Sequence, residues 1–125
     1  MKKKLLIIDD EAAIRELLAS MLLSMSGLYD IYKAESGEKA IALARTVVPD
    51  CVFTDMQMPG MDGLDTLREL KKINSQASIF MMTGGAPQER IDAALQEGAM
   101  DCLMKPFTAA DVAAVLRKGE RMRAE

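Results

Sequence analysis

A chain of 125 residues, half of them hydrophobic and 28% charged, has the balance of one globular domain with its own buried core. Its net charge of −3 argues against a nucleic-acid partner, and the absence of histidine removes Ser-His and Cys-His nucleophiles, histidine-ligated zinc and histidine phosphocarriers. No apolar run is long enough for a membrane span or a signal peptide, so the cytosol is the expected location, and Cys51 and Cys102 form no CxxC pair and read as buried free thiols.

Lys4 to Asp9 is a short apolar run ending in acid, the pattern of a buried strand. Glu11 to Met25 carries Ile14, Leu17, Leu18, Met21 and Leu22 at helical spacing, with Gly27 as its stop. Tyr29 to Ala34 reads as a second strand. Ser36 caps a second helix whose inner face holds Ile41, Ala44 and Val48, and Pro49 ends it. Asp50 to Thr54 is a third strand, followed by the loop Asp55 to Met61. Asp62 caps a third helix through Lys72, and its role is read as that of a cap and nothing more.

Ala77 to Met82 is a fourth strand and Thr83 to Pro87 a loop. Gln88 to Glu97 is a fourth helix with Gly98 as its stop. Met100 to Met104 is a fifth strand, and Thr108 caps a fifth helix built on Val112, Val115 and Leu116. With 4% aromatics and 11 Met, aliphatic residues and methionine fill the core. Alternating strands and helices predict an α/β fold: a doubly wound, five-stranded parallel sheet with five helices. Residues 1–125 are expected to form a single domain with no output domain among them.

In such a sheet, ligands bind beyond the carboxyl ends of the strands. Asp9 and Asp10 follow the first strand, Asp55 the third, Thr83 the fourth and Lys105 the fifth. Periodicity alone brings three carboxylates, a hydroxyl and an ammonium toward one edge. Clustered carboxylates raise one another's pKa, and a hard cation such as Mg²⁺ with oxygen ligands relieves them. A carboxylate can attack phosphorus to give an acyl phosphate, with a lysine and a hydroxyl on the phosphoryl oxygens. Each residue alone has a plainer reading: Asp9 or Asp10 as a helix cap, Asp55 as a loop acid, Lys105-Pro106 as a turn.

Four segments together, Leu5 to Glu11, Asp55 to Gly63, Met82-Thr83-Gly84 and Lys105-Pro106-Phe107, resemble response-regulator receiver domains over nearly the whole chain. The resemblance implies a flavodoxin-like sheet of order 2-1-3-4-5. It implies that Asp55 is the phosphoacceptor and that Mg²⁺ is held by Asp9, Asp10, Asp55 and the backbone carbonyl of Gln57. It implies that Thr83 and Lys105 bind phosphoryl oxygens, and that the Lys105–Pro106 peptide bond is cis. The donor would be a phosphohistidine on a sensor histidine kinase or phosphotransfer protein. The group would be lost by slow self-catalysed hydrolysis, so the chain is no conventional multiple-turnover enzyme.

Phosphorylation would shift the face made by the fourth helix, fifth strand and fifth helix toward a protein target, with the chain a monomer or weak dimer. Neither nucleic acid nor membrane is an expected direct partner. Cys102 departs from the family, which carries a switching aromatic three residues before the lysine. Gly84 and Gly85 leave the site open, so water is expected to reach the acyl phosphate easily.

Two other readings compete with this one. A haloacid-dehalogenase-type phosphatase would need a second Asp where Gln57 stands. A receiver-like module that binds partners without phosphorylation gains from Cys102 and loses to the complete acid set.

Overall fold

The computed structural model describes residues 2–25 and 28–124. Its elements alternate as β1 (Lys3–Ile8), α1 (Ala12–Met25), β2 (Tyr29–Ala34), α2 (Gly37–Val47), β3 (Cys51–Asp55), α3 (Gly63–Ile73), β4 (Ser78–Thr83), α4 (Gln88–Gln96), β5 (Asp101–Met104) and α5 (Ala109–Ala124). All strand pairs are parallel, in the order β2-β1-β3-β4-β5. The expected sheet is therefore the observed one. The expected helix stop at Gly27 lies outside the described residues.

The apolar runs form strands because both sheet faces are covered. Leu5, Ile7, Phe53, Phe80 and Met82 face α1 and α5, where they pack on Leu18, Leu22, Val112 and Val115. Leu6, Ile8, Val52, Ile79 and Met81 face α2, α3 and α4, against Ala40, Ile41, Ala44, Leu67, Leu70, Ile91 and Ala94. A parallel sheet buried on both faces reads as continuous apolar runs, as these do. Phe53 and Phe80 meet edge to face with centroids 5.0 Å apart. Met56, Met58, Met81 and Met82 are buried filler, whereas Met104 and Met122 are exposed.

Helix boundaries follow their caps. Ser36 Oγ accepts from Lys39 N at 3.1 Å and Asp62 Oδ1 from Asp65 N at 3.0 Å. Thr108 and Asp111 form a reciprocal capping box, each side chain accepting from the other's backbone N–H at 3.1 and 2.8 Å. Gly98, at φ +112°, ends α4 as anticipated. α4 differs at its start: Pro87 stands at the cap position and offers no side-chain hydrogen bond.

The third strand lies one residue later than expected. Asp50 precedes β3 and accepts from Lys4 N at 2.9 Å, while Asp55 is the last residue of the strand. Asp9, in turn, lies just beyond β1. The cause is the register, in which Ile8 pairs with Thr54 and Asp55 with Met82. Asp9 and Asp55 are thereby level on adjacent strands.

Candidate active site at the carboxyl edge of the sheet

Register alone assembles the site. Asp9 and Asp10 follow β1, Asp55 ends β3, Thr83 ends β4 opposite Met104, and Lys105 follows β5. The backbone ties these ends together: Met56 N donates to Met82 O at 2.9 Å and Lys105 N to Thr83 O at 2.7 Å. Asp9, Asp10 and Asp55 each offer a carboxylate oxygen, and these atoms lie within 4.8 Å of one another. Asp9 is fully buried, Asp55 nearly so, and Asp10 is exposed.

Lys105 stands among these acids. Its Nζ lies 2.8 Å from Asp9 Oδ2, 3.5 Å from Asp55 Oδ2 and 3.8 Å from Glu11 Oε1. Burial works against its charge, yet the hydrogen bond to Asp9 and the fields of Asp55, Asp9 and Glu11 hold its pKa above the ordinary lysine value. Asp55 moves the other way from a typical carboxylate. Burial and then the neighbouring charge of Asp9 raise its pKa, against the opposing pull of Lys105 and of Gln57 N, which donates to Asp55 Oδ1 at 3.3 Å.

The oxygen-only donor set, packed closely enough to destabilise the ionised form of Asp55, suits a hard divalent cation. That is an acidic pocket able to take a metal, formed by residues named from the sequence. Thr83 Oγ1 is buried and accepts from Gly85 N at 3.1 Å and Ala86 N at 2.7 Å, so the hydroxyl shapes the loop that follows it. The Lys105–Pro106 bond is cis, as the resemblance implied.

Several residues escaped the sequence reading. Arg15 Nη1 donates to the Asp9 carbonyl at 2.7 Å, and Glu11 N donates to Asp9 Oδ1 at 2.9 Å. Glu11 was legible as a third consecutive acid, and Arg15 as a cation one helical turn on. Asp62 does more than cap α3, because its Oδ2 also accepts from Arg90 Nη2 of α4 at 2.6 Å. Nothing in the sequence announces that pair, since its partners are 28 residues apart and only the packing of α3 and α4 joins them. Of the two thiols, Cys51 is buried as expected, but Cys102 is only half-buried. Burial first and then Asp101 push the Cys102 thiol up to about 11, far from a reactive thiolate.

The chain matches the family described as response regulator receiver domain over residues 5–117. It belongs to that receiver family. This receiver is 36% identical to the chemotaxis protein CheY of Bacillus subtilis, covering 94% of this chain and 98% of that protein. It is 37% identical to the alkaline phosphatase synthesis transcriptional regulatory protein PhoP of the same organism, covering 96% of this chain and 51% of the relative. It thus spans nearly all of one relative and about half of the other.

Among solved structures, a response regulator receiver domain protein from Clostridium thermocellum is 32% identical, with a TM-score of 0.85 and 98% of each chain covered. A receiver from Methanospirillum hungatei superposes with a TM-score of 0.90 at 23% identity, a likeness of fold. The receiver therefore takes its place in two-component signalling. Among its described residues no helix is long and apolar enough to cross a membrane.

Proposed function

We propose that this receiver accepts a phosphoryl group on Asp55 from a phosphohistidine donor, with Mg²⁺ at Asp9, Asp10, Asp55 and the Gln57 backbone carbonyl. The single observation that carries the reading is the setting of Asp55. It is a nearly buried carboxylate with a raised pKa, 3.5 Å from a lysine and within a cluster of acids. A bound Mg²⁺ would neutralise charge on the acids and on the incoming group.

The residues of the chain supply the rest. An Asp55 oxygen attacks phosphorus, an O–P bond forms, the N–P bond to the donor imidazole breaks, and its electron pair returns to that ring. Lys105, now shared among Asp9, Asp55 and Glu11, would turn toward a phosphoryl oxygen. Thr83 would donate its hydroxyl proton to another. Its oxygen already holds the N–H groups of Gly85 and Ala86, so a rotation there would draw on the loop after β4 and on the start of α4.

Both loop glycines leave space. A Cβ at Gly85 would meet nothing within 4 Å, and one at Gly84 only Lys105 Cβ at 4.0 Å. Water access to the acyl phosphate follows from that openness, and with it loss of the group by self-catalysed hydrolysis. The acting unit is the single domain 1–125, in the cytosol, monomeric or weakly dimeric, with a sensor histidine kinase or phosphotransfer protein upstream. A protein target would meet the face of α4, β5 and α5.

Phosphorus NMR tests the chemistry. Incubation with phosphoramidate and Mg²⁺, an N–P donor like phosphohistidine, is expected to give a protein-bound acyl phosphate signal that hydroxylamine removes and a chelator prevents. No such signal, with Mg²⁺ binding demonstrated, would leave the module that binds without phosphorylation.

A further inference from the structure

The loop from Met56 to Asp62 leaves the phosphoacceptor and carries the Gln57 carbonyl. Its stem is closed by Gly63 N, which donates to Met56 O at 3.1 Å. Its far end is held from both sides by charged side chains outside the acid cluster. From α2, Glu38 Oε2 accepts from Met61 N at 3.1 Å. The same carboxylate lies across Gly60, whose φ is +75° and where a Cβ would stand 2.8 Å from Oε2. Neighbouring Gly37 is pressed so closely on the loop that its Cβ would stand 3.0 Å from the Met61 carbonyl. From α4, Arg90 Nη2 donates to Asp62 Oδ2 at 2.6 Å, leaving Asp62 Oδ1 to cap α3.

We propose that Glu38 and Arg90 are positioning residues for the metal: together they fix the backbone of loop 56–62, from which Gln57 would offer its carbonyl. The inference rests on the metal reading given above. A backbone carbonyl is a useful ligand only if its peptide is already held in place, because ordering it on binding would subtract from affinity. The near end of the loop is tied by Met56 N to Met82 O at 2.9 Å and by Gln57 N to Asp55 Oδ1 at 3.3 Å, and the far end leans on Glu38 and Arg90. Its interior residues Met56 and Met58 are packed in the core, but Gly60 and Met61 are more open and turn on the Glu38 contact. Since Arg90 belongs to the first turn of α4, the same contact makes the metal loop sensitive to where that helix begins.

The test is a Mg²⁺ titration followed by backbone amide NMR shifts, in a chain that has no Trp to report binding. Glu38→Ala and Arg90→Gln are each expected to raise the Mg²⁺ Kd by about threefold, and the double variant by roughly tenfold, as loss of exposed charge-assisted hydrogen bonds implies. Glu38→Gln, which keeps an acceptor oxygen, should recover part of the loss. Arg68→Gln is the control. It removes a comparable surface pair, Arg68 Nε to Glu97 Oε1 at 2.6 Å, that also links α3 to the end of α4, together with the 3.5 Å contact of Arg68 Nη1 to Asp65 Oδ1 within α3. It should cost stability and leave the Kd unchanged.

Unchanged Kd values in Glu38→Ala and Arg90→Gln, or an equal loss in Arg68→Gln, would overturn the positioning role while the metal site stood. Failure of the wild type to bind Mg²⁺, or equal binding after Asp10→Asn, would overturn the metal reading and this inference with it.

Discussion

Lys105 and Asp55 carry opposite consequences for stability, although they are neighbours. Lys105 Nζ lies 2.8 Å from Asp9, 3.5 Å from Asp55 and 3.8 Å from Glu11, with its side chain 14% exposed. Its replacement by Met strands the acids, and breaking a buried pair in this way should cost about 3 kcal/mol in urea unfolding without metal. Asp55→Asn should do the reverse. Its raised pKa means that the folded state disfavours the carboxylate, so wild-type stability falls as pH rises from the unfolded Asp value through the folded one. Above that window Asp55→Asn should melt a few degrees higher than the wild type in metal-free buffer, and near pH 3 the two should converge. Equal melting temperatures across the whole range would contradict the assigned electrostatics. All five side chains named from the sequence as site groups (Asp9, Asp10, Asp55, Thr83, Lys105) lie at strand ends, because each follows an apolar run that has no other way to be buried. Glu38 and Arg90 were illegible, since their contacts depend on how helices dock on loops.

At the scale of elements, α3 begins directly on Asp55, the proposed phosphoacceptor. A Cβ at Gly63 would press on the Asp55 carbonyl oxygen and stand 2.6 Å from Met56 Cα. Gly63→Ala is expected to destabilise the domain by about 2 kcal/mol through overpacking and to slow phosphorylation with it, both read on one preparation by urea unfolding and phosphoryl uptake. The loop after β4 makes the complementary prediction. Gly84→Ala adds a methyl where only Lys105 Cβ is near, at 4.0 Å. It should lengthen the acyl phosphate half-life by narrowing the path of water. Gly85 has more room but sits at φ +155°, so a side chain there would also cost backbone energy. A longer half-life in the wild type than in both variants would defeat the open-site account. Strand and helix order was plain from periodicity and caps, yet β3 was placed one residue early. A parallel pair sets its own register, and Asp50 was taken for a strand residue when it accepts from Lys4 N across the strand entrance.

For the whole molecule, the question is how a phosphoryl group on Asp55 would reach the start of α4. The chain of contacts runs from Thr83 Oγ1 through the N–H groups of Gly85 and Ala86 to an α4 whose first turn lacks a side-chain cap and is tied by Arg90 to Asp62. Thr83→Val should still take up a phosphoryl group at Asp55, more slowly than the wild type, while the amide shifts of residues 84–91 cease to follow it. Shifts that still follow phosphorylation in that variant would place the coupling elsewhere. Cys102, where the resemblance implied an aromatic, is a half-buried thiol whose pKa burial and Asp101 raise to about 11. The fold could be read almost entirely from pattern, because alternation of apolar runs with capped amphipathic helices admits few other arrangements. The coupling could not, because it lives in contacts between helices that no local spacing encodes. The central claim, that Asp55 is the phosphoacceptor, is tested most directly by intact mass after incubation with Mg²⁺ and a small-molecule phosphodonor. The account predicts a gain of one phosphoryl group in the wild type and none in Asp55→Asn. No gain in the wild type with Mg²⁺ bound, or an equal gain in Asp55→Asn, would contradict it.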